Sequence, residues 1–331
     1  AAQRIKGLSL FQVVKNAIIQ RQSSEKSKVI KTLIDEFDYP RQGPGMMWQA
    51  VLALVQENGS TVATKSSVEK IRWEDGRVTS AAVCTGGKTQ EVSGTHFLST
   101  LPVRELIQKL DPPAPDSVLV AANQLKYRDF ITVALIMNRR DLFPDNWIYI
   151  HDPRVKVGRI QNFKNWSPDM VPDEAKTCLG LEYFCFEGDG LWTMTDADLV
   201  ALAGRELVLM GLVRAEDIED GTVVRMPKAY PVYDSTYKEA LGTVREFLQP
   251  LQNLQLIGRN GMHKYNNQDH SMLTAMLAVK NILGGNHDLW EVNADQDYHE
   301  EVHADDKASH ARACASTQPR VPERIIGPTP I

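Results

Sequence analysis

The residues best equipped for chemistry lie between Asn253 and Ala278, in the order N-L-Q-L-I-G-R-N-G-M-H-K-Y-N-N-Q-D-H-S-M-L-T-A-M-L-A. Leu254 to Ile257 reads as a short buried strand, Gly258-Arg259 as a turn, and His263, Lys264 and Tyr265 as part of a polar loop. A helix then begins near Asn267, with Met272, Leu273, Met276, Leu277 and Val279 at helical spacing and Asn266 or Asn267 as its cap. Strand, glycine turn and helix start gather unpaired N–H groups and a positive dipole end at one point. Such a point holds an anion or an electron-rich carbonyl. The guanidinium fork of Arg259 suits a diphosphate. Asp269, His270, Ser271 and Met272 fall in the first helical turns, and His263 and Lys264 are the nearby candidates for moving a proton.

Two further clusters carry polar or flexible chemistry. Arg159, Asn162, Lys164, Asn165 and Trp166 place two cations, two amides and an indole on one strand and the turn after it. That set suits a small polar substrate, phosphorylated or glycosylated. Gly43, Gly45 and Met46 form a glycine turn where backbone can approach a ligand closely. Tyr230 and Tyr233 read as aromatic core. His299 and His303 have metal-ligand spacing but lack a third ligand in register, so no metal is assigned.

The elements that must position these residues follow from periodicity. Residues 1–37 read as helical, with apolar Ile5, Leu8, Val13 and Val14. A second helix, Met46 to Gln56, carries Met47, Val51, Leu52 and Val55 as a core stripe. Alternating runs follow: Thr61 to Thr64, Ser67 to Trp73 and Val78 to Cys84, the last two joined by an Asp75-Gly76 hairpin turn. His96 to Thr100 is the next strand. Phe130 to Met137, Trp147 to His151, Arg159 to Phe163, Cys178 to Phe186 and Thr222 to Met226 are strands of a second lobe, with helices at Asp196 to Met210 and Asp234 to Leu248. Residues 286–331 differ in composition and read as a loosely ordered tail.

Composition narrows the function. The 331 residues, 43% hydrophobic, can bury one large or two moderate cores, and the formal charge of −5 argues against a nucleic-acid footprint. No apolar run approaches the roughly 18 residues of a membrane span. Cys84, Cys178, Cys185 and Cys314 lack metal spacing and read as reduced thiols of a cytoplasmic protein.

The order of motifs resembles the flavoprotein superfamily of FAD-dependent amine oxidases, protoporphyrinogen oxidase and UDP-galactopyranose mutase. The residues that carry the likeness are Gly258, Arg259 and Asn267 to Met272, with Tyr39-Pro-Arg-Gln-Gly-Pro-Gly-Met-Met47, Ser99-Thr-Leu-Pro102 and Arg159 to Trp166. The resemblance implies FAD as cofactor, with Val68 along the adenine, Gly43, Gly45, Met46, Thr100, Gly258 and Arg259 beside the cofactor, and Asn267, Asp269, His270, Ser271 and Met272 pointing a helix start at the flavin. Arg159, Asn162, Lys164, Asn165, Trp166 and Tyr265 would face the substrate. It implies an α/β (α+β) fold: a partial Rossmann-like FAD-binding domain with an inserted antiparallel-sheet substrate domain. The corresponding division is 1–102 and 234–285 for the FAD domain, 103–233 for the substrate domain and 286–331 for the tail.

One family feature is missing from the sequence. No apolar strand leads into G-x-G-x-x-G: the G-x-G at Gly43-Pro-Gly45 has Trp48 at the third glycine position. The chain therefore reads as a fragment without the phosphate-binding unit. The implied reaction is hydride transfer from a small polar substrate to flavin N5. One alternative is the sugar-isomerising chemistry of the mutase branch, acting on a nucleotide-sugar, although Asn267 stands where that branch has Asp. Another is a non-catalytic remnant.

Overall fold

The computed structural model describes residues 38–293. The expected helix over 1–37, the tail beyond 293, and with them His299, His303 and Cys314 lie outside the described residues.

The first described helix, α1 (Gly45–Glu57), forms where the spacing of Met47, Val51 and Val55 predicts it. It does not bury that stripe: among the described residues, no α1 side chain is buried. Periodicity fixes which residues share a helix face, and a stripe becomes core only where another element covers it. Thr61 to Thr64 is loop rather than strand. The hairpin β1 (Ser66–Glu74) and β2 (Arg77–Thr85) turns at Asp75 and Gly76, whose φ values of 46° and 73° match the Asp-Gly signal. A third strand, β3 (Lys88–Ser93), pairs with β2. Its six residues are all exposed, and without an apolar side its sequence gives no period to read.

Next come β4 (Phe97–Ser99), α2 (Val103–Gln108), β5 (Leu110–Asp111) and α3 (Asp116–Gln124). Strands β3-β2-β1-β5 form one sheet. Ile71, Val78, Val103, Leu106, Val118 and Leu125 pack in one core with Ala240, Val244 and Leu248 of α6 (Tyr237–Leu248). Residues 103–125 thus share a core with β1, β2 and α6, although the sequence places them in the second lobe.

The second lobe is a five-stranded antiparallel sheet in the order β10-β6-β9-β8-β7: β6 (Tyr127–Met137), β7 (Trp147–Tyr149), β8 (Arg159–Asn162), β9 (Thr177–Cys185) and β10 (Ile218–Pro231). One-turn helix α4 (Phe163–Trp166) follows β8. One face of the sheet, with Ile131, Val133, Leu135, Leu179, Leu181 and Tyr183, packs against Leu199, Ala203 and Leu207 of α5 (Asp196–Leu209). The period of two leaves Phe130, Glu182, Phe184, Arg159 and Gln161 on the other face.

The chain then returns through α6 to β11 (Leu254–Leu256), which pairs in parallel with β4, and on to α7 (Gly258–Gly261) and α8 (Gln268–Ile282). The expected Gly-Arg turn is a short helix. In α8 Thr274 and Ala278 are buried, whereas Met272, Leu273, Met276 and Val279 are exposed. Residues 286–293, expected to be part of the loose tail, fold back instead: Leu289 and Val292 are buried, and Arg245 stacks over Trp290 at 3.8 Å. The fold class is the one the sequence implies, a mixed α/β molecule with two parallel strand pairs among the described residues, β1–β5 and β4–β11, and an inserted antiparallel sheet.

Candidate functional site

Thr100, Gly258 and Ser271 are brought together. Gly258 has a φ of 76°, a region that favours glycine, and a Cβ there would lie 3.7 Å from Thr100 Cγ2 and 4.0 Å from Ser271. The turn is held by Gly258 N–H donating to Thr274 Oγ1 at 3.0 Å and by Asn266 Nδ2 donating to Gly258 O at 3.2 Å. Gly261 packs so closely on the Ser99 carbonyl that no side chain fits. The result is a cradle of small residues at the C-terminal ends of two parallel strands. Beside it starts α8, capped by Asn267, whose N–H donates to His270 Nδ1 at 3.3 Å. First-turn N–H groups of such a helix have no partner within it. Small side chains, a left-handed glycine and a helix start together fit the phosphate and ribityl portion of a dinucleotide.

Other predicted cofactor residues lie elsewhere. Val68 sits on β1 at a register shift and packs at the margin of the first core. Gly43 has a φ of 89° and faces Met170 and the Tyr39 hydroxyl. Tyr39 stacks on Trp166 at 5.1 Å, and Trp166 lies 5.0 Å from Trp147. Gly43 is therefore joined through this aromatic row to the β7–β8 edge of the large sheet, whereas a Cβ at Gly45 would meet nothing within 4 Å and Met46 is exposed.

Arg259 is not free to grip a ligand with its whole fork. Its Nε donates to Asn266 O at 2.8 Å and one terminal nitrogen to Ala229 O at 2.9 Å, while Tyr230 and Tyr265 flank the guanidinium at 5.2 and 4.8 Å. It orients this stacked tyrosine pair, whose centroids are 5.5 Å apart. Tyr230, read from sequence as core, thereby joins the wall that Tyr265 forms.

The polar set on β8 divides in the same way. Arg159 and Gln161 both donate to Glu182, which is 1% exposed. Asn162 points to the opposite side and is buried, with its amide donating to Phe143 O at 3.3 Å. The Lys164 ammonium donates to the carbonyls of Arg140, Glu174 and Lys176, at 2.9, 2.6 and 2.9 Å. Asn165 donates to Phe143 O and Asp145 O. The structure thus brings Arg159, Gln161, Glu182, Phe184, Tyr230 and Tyr265 to one wall and gives Lys164 and Asn165 to loop closure. Glu182 was missed by sequence reasoning; its signal is a lone acid inside the apolar strand Cys178 to Phe186.

Neither proton-transfer candidate stands open. His263 is 1% exposed, edge-on to Tyr127 at 4.9 Å, and its Nε2 meets Val232 O at 3.3 Å. Burial pushes its pKa down to about 4, so the ring is neutral. The Lys264 ammonium donates to Trp290 O at 2.6 Å and Val292 O at 2.7 Å, and burial lowers its pKa. A cleft of about 590 Å³ runs along α6 and β11, lined by Arg245, Gln255, His287, Asp288 and Trp290 among others, and holds none of the sequence-predicted residues. Among the described residues no helix is long and apolar enough to cross a membrane.

Comparison with known proteins agrees with this fold. The chain resembles the crystal structure of reduced UDP-galactopyranose mutase with a TM-score of 0.69 at 18% identity, over 88% of this chain and 62% of that one. It resembles a putative protoporphyrinogen oxidase from Exiguobacterium with a TM-score of 0.50 at 16% identity, over 70% of this chain and 51% of that one. These likenesses are of fold, and the chain spans less than two thirds of either neighbour's length. Comparison with curated proteins returns no match. The model of the flavin-containing amine oxidoreductases matches residues 15–301, and the chain belongs to that family.

Proposed function

We propose that this chain forms part of an FAD-dependent oxidoreductase that removes hydride from a small polar substrate. The observation that carries the reading is the small-residue cradle of Thr100, Gly258 and Ser271 at the start of α8. When bound, the flavin would supply the redox step by accepting hydride at N5. The protein's share is position and electrostatics. The cradle would hold the polar arm of the cofactor, with Asn267, Asp269, His270 and Met272 in the adjoining helix start, whose dipole favours negative charge nearby. The wall of Tyr230, Tyr265, Phe184 and the Arg159–Glu182 pair would orient the substrate. The same reading assigns 1–102 and 234–285 to the cofactor part and 103–233 to the substrate part, with 103–125 packed on the former.

The test begins with the chain incubated with excess FAD and desalted. Retained visible flavin absorbance, lost in Gly258→Val, is the expected result. A colourless wild-type protein sinks the claim that this chain holds flavin. With flavin retained, bleaching under anaerobic conditions by an amine or alcohol substrate supports oxidation. Interconversion of a nucleotide-sugar without net oxidation would instead establish the mutase-like alternative.

A further inference from the structure

Pro227 has no N–H to give to a ladder, and proline within a strand is confined to edges and bulges. It stands on the edge strand β10, where pairing with β6 slips between Met226 and Tyr230. Met226 lies opposite Phe130 and Tyr230 opposite Arg128, so four steps along β10 span two along β6. The excess forms a bulge, and bulges re-aim the side chains beside them. An excess of two keeps the alternation of the strand, so Tyr230 emerges on the face of Phe130 and Phe184, 6.2 and 5.9 Å from their rings.

Lys228 lies in this bulge with a φ of 54°, a left-handed backbone that a lysine adopts only where its surroundings hold it there. Three sets of contacts do so. Buried Asp129 accepts from the Lys228 N–H at 2.6 Å and from the Glu187 N–H. The Lys228 ammonium, on a side chain 18% exposed, meets Glu105 of α2 at 3.0 Å and Glu187 at 3.7 Å. Two successive bulge carbonyls accept from α7: Lys228 O from Asn260 Nδ2 at 3.0 Å, and Ala229 O from the Arg259 guanidinium at 2.9 Å. Lys228 therefore ties the large sheet to α2 of the first core and to α7 beside the cradle, two residues before Tyr230. The geometry points to Lys228 as a positioning residue: its ammonium on Glu105 holds the bulge against α7 and so fixes the Tyr230–Tyr265 stack relative to Gly258. Its meaning for catalysis rests on the reading of these tyrosines as the substrate wall, whereas the positioning itself needs no bound flavin.

The test uses the full chain labelled with fluorotyrosine, its fluorine NMR resonances assigned through Tyr230→Phe, Tyr265→Phe and Tyr183→Phe. Tyr183 packs in the core on the opposite face of the sheet and reports the fold alone. Lys228→Met keeps the aliphatic stem and removes the charge: the Tyr230 and Tyr265 resonances should move by more than their linewidths while that of Tyr183 stays in place. Lys228→Arg retains a cation for Glu105 and should leave all three where they are in the wild type. Glu105→Gln removes the same ion pair from the α2 side and should move Tyr230 in the same direction, which keeps the test decisive if Lys228→Met does not fold. Unmoved Tyr230 and Tyr265 resonances in a folded Lys228→Met or Glu105→Gln protein overturn the proposal. Equal movement of Tyr183 also overturns it, because the ion pair would then support the fold in general rather than the tyrosine stack. Flavin retention by the same samples is a separate result: a colourless wild type removes the flavin reading and leaves the tyrosine resonances to decide this one.

Discussion

His263 permits a test that separates a core residue from a catalyst. Its ring is enclosed by Tyr127 and Tyr233, its Nδ1 has no hydrogen-bond partner, and burial lowers its pKa to about 4 from an ordinary 6.5. Between those values the unfolded chain binds a proton that the folded chain refuses. The histidine's contribution to stability is therefore complete above about pH 6.5 and is lost as pH falls towards 4. At about 1.4 kcal/mol for each tenfold preference, the gap amounts to about 3 kcal/mol, of which about 2 kcal/mol is gone by about pH 5. The comparison variant is His263→Asn, because asparagine tolerates the φ of 46° found here. Urea unfolding followed by tryptophan fluorescence, at about pH 7.5 and about pH 5, gives the pH-dependent loss for each protein. Carboxylates titrate in both, so the difference between the two losses isolates the histidine: the wild type should lose about 2 kcal/mol more than the variant. Equal losses would refute the burial argument. They would mean that His263 takes up its proton as freely as an exposed histidine, and would restore it as a candidate base.

Other positions give independent checks. Glu182→Ala strands the partly buried Arg159 guanidinium and Gln161, and should cost about 3–5 kcal/mol in chemical denaturation, against a smaller loss for Glu182→Gln; a loss below about 1 kcal/mol in Glu182→Ala would mean the pair is solvated. Lys264→Met removes two bonds to the 290–292 segment and should cost about 1–3 kcal/mol, accompanied by faster amide exchange around Val292. Unchanged stability would instead put that ammonium in the substrate site. Gly261→Ala drives a methyl into the Ser99 carbonyl and should abolish cooperative unfolding, whereas Gly258→Ala should fold with a penalty of about 1–2 kcal/mol for its left-handed backbone. Equal behaviour of the two would contradict the strand-to-helix packing described here.

Much of this architecture is legible in the sequence, and the exceptions have physical causes. Asp75-Gly76, the continuous apolar run from Phe130 to Met137 and the strand–glycine–helix order after Leu254 each act through local geometry, which a sequence records directly. The stripes on α1 and α8 are different. Met47, Val51, Met272 and Met276 have helical spacing, but spacing specifies a shared face and says nothing about whether a partner covers it; among the described residues these side chains stay exposed. Residues 103–125 show the complementary case. Their apolar positions are evident, but only the tertiary structure reveals that they pack beside α6 rather than on the second sheet.

Polar residues raise a harder problem, because a side chain suited to a ligand is equally suited to backbone. Lys164 and Lys264 were candidates on the strength of their charge, and each ammonium is held by peptide carbonyls. Asn165 does the same with its amide. Loops that cross a lobe leave carbonyls unpaired, and a long cation nearby is the cheapest way to satisfy several at once. A candidate site is therefore better sought among polar atoms left over after the backbone has been satisfied than among the residue types that chemistry favours. By that criterion Lys164 and Lys264, whose ammonium groups are spent on carbonyls, rank low, and Lys264→Met decides whether the criterion holds.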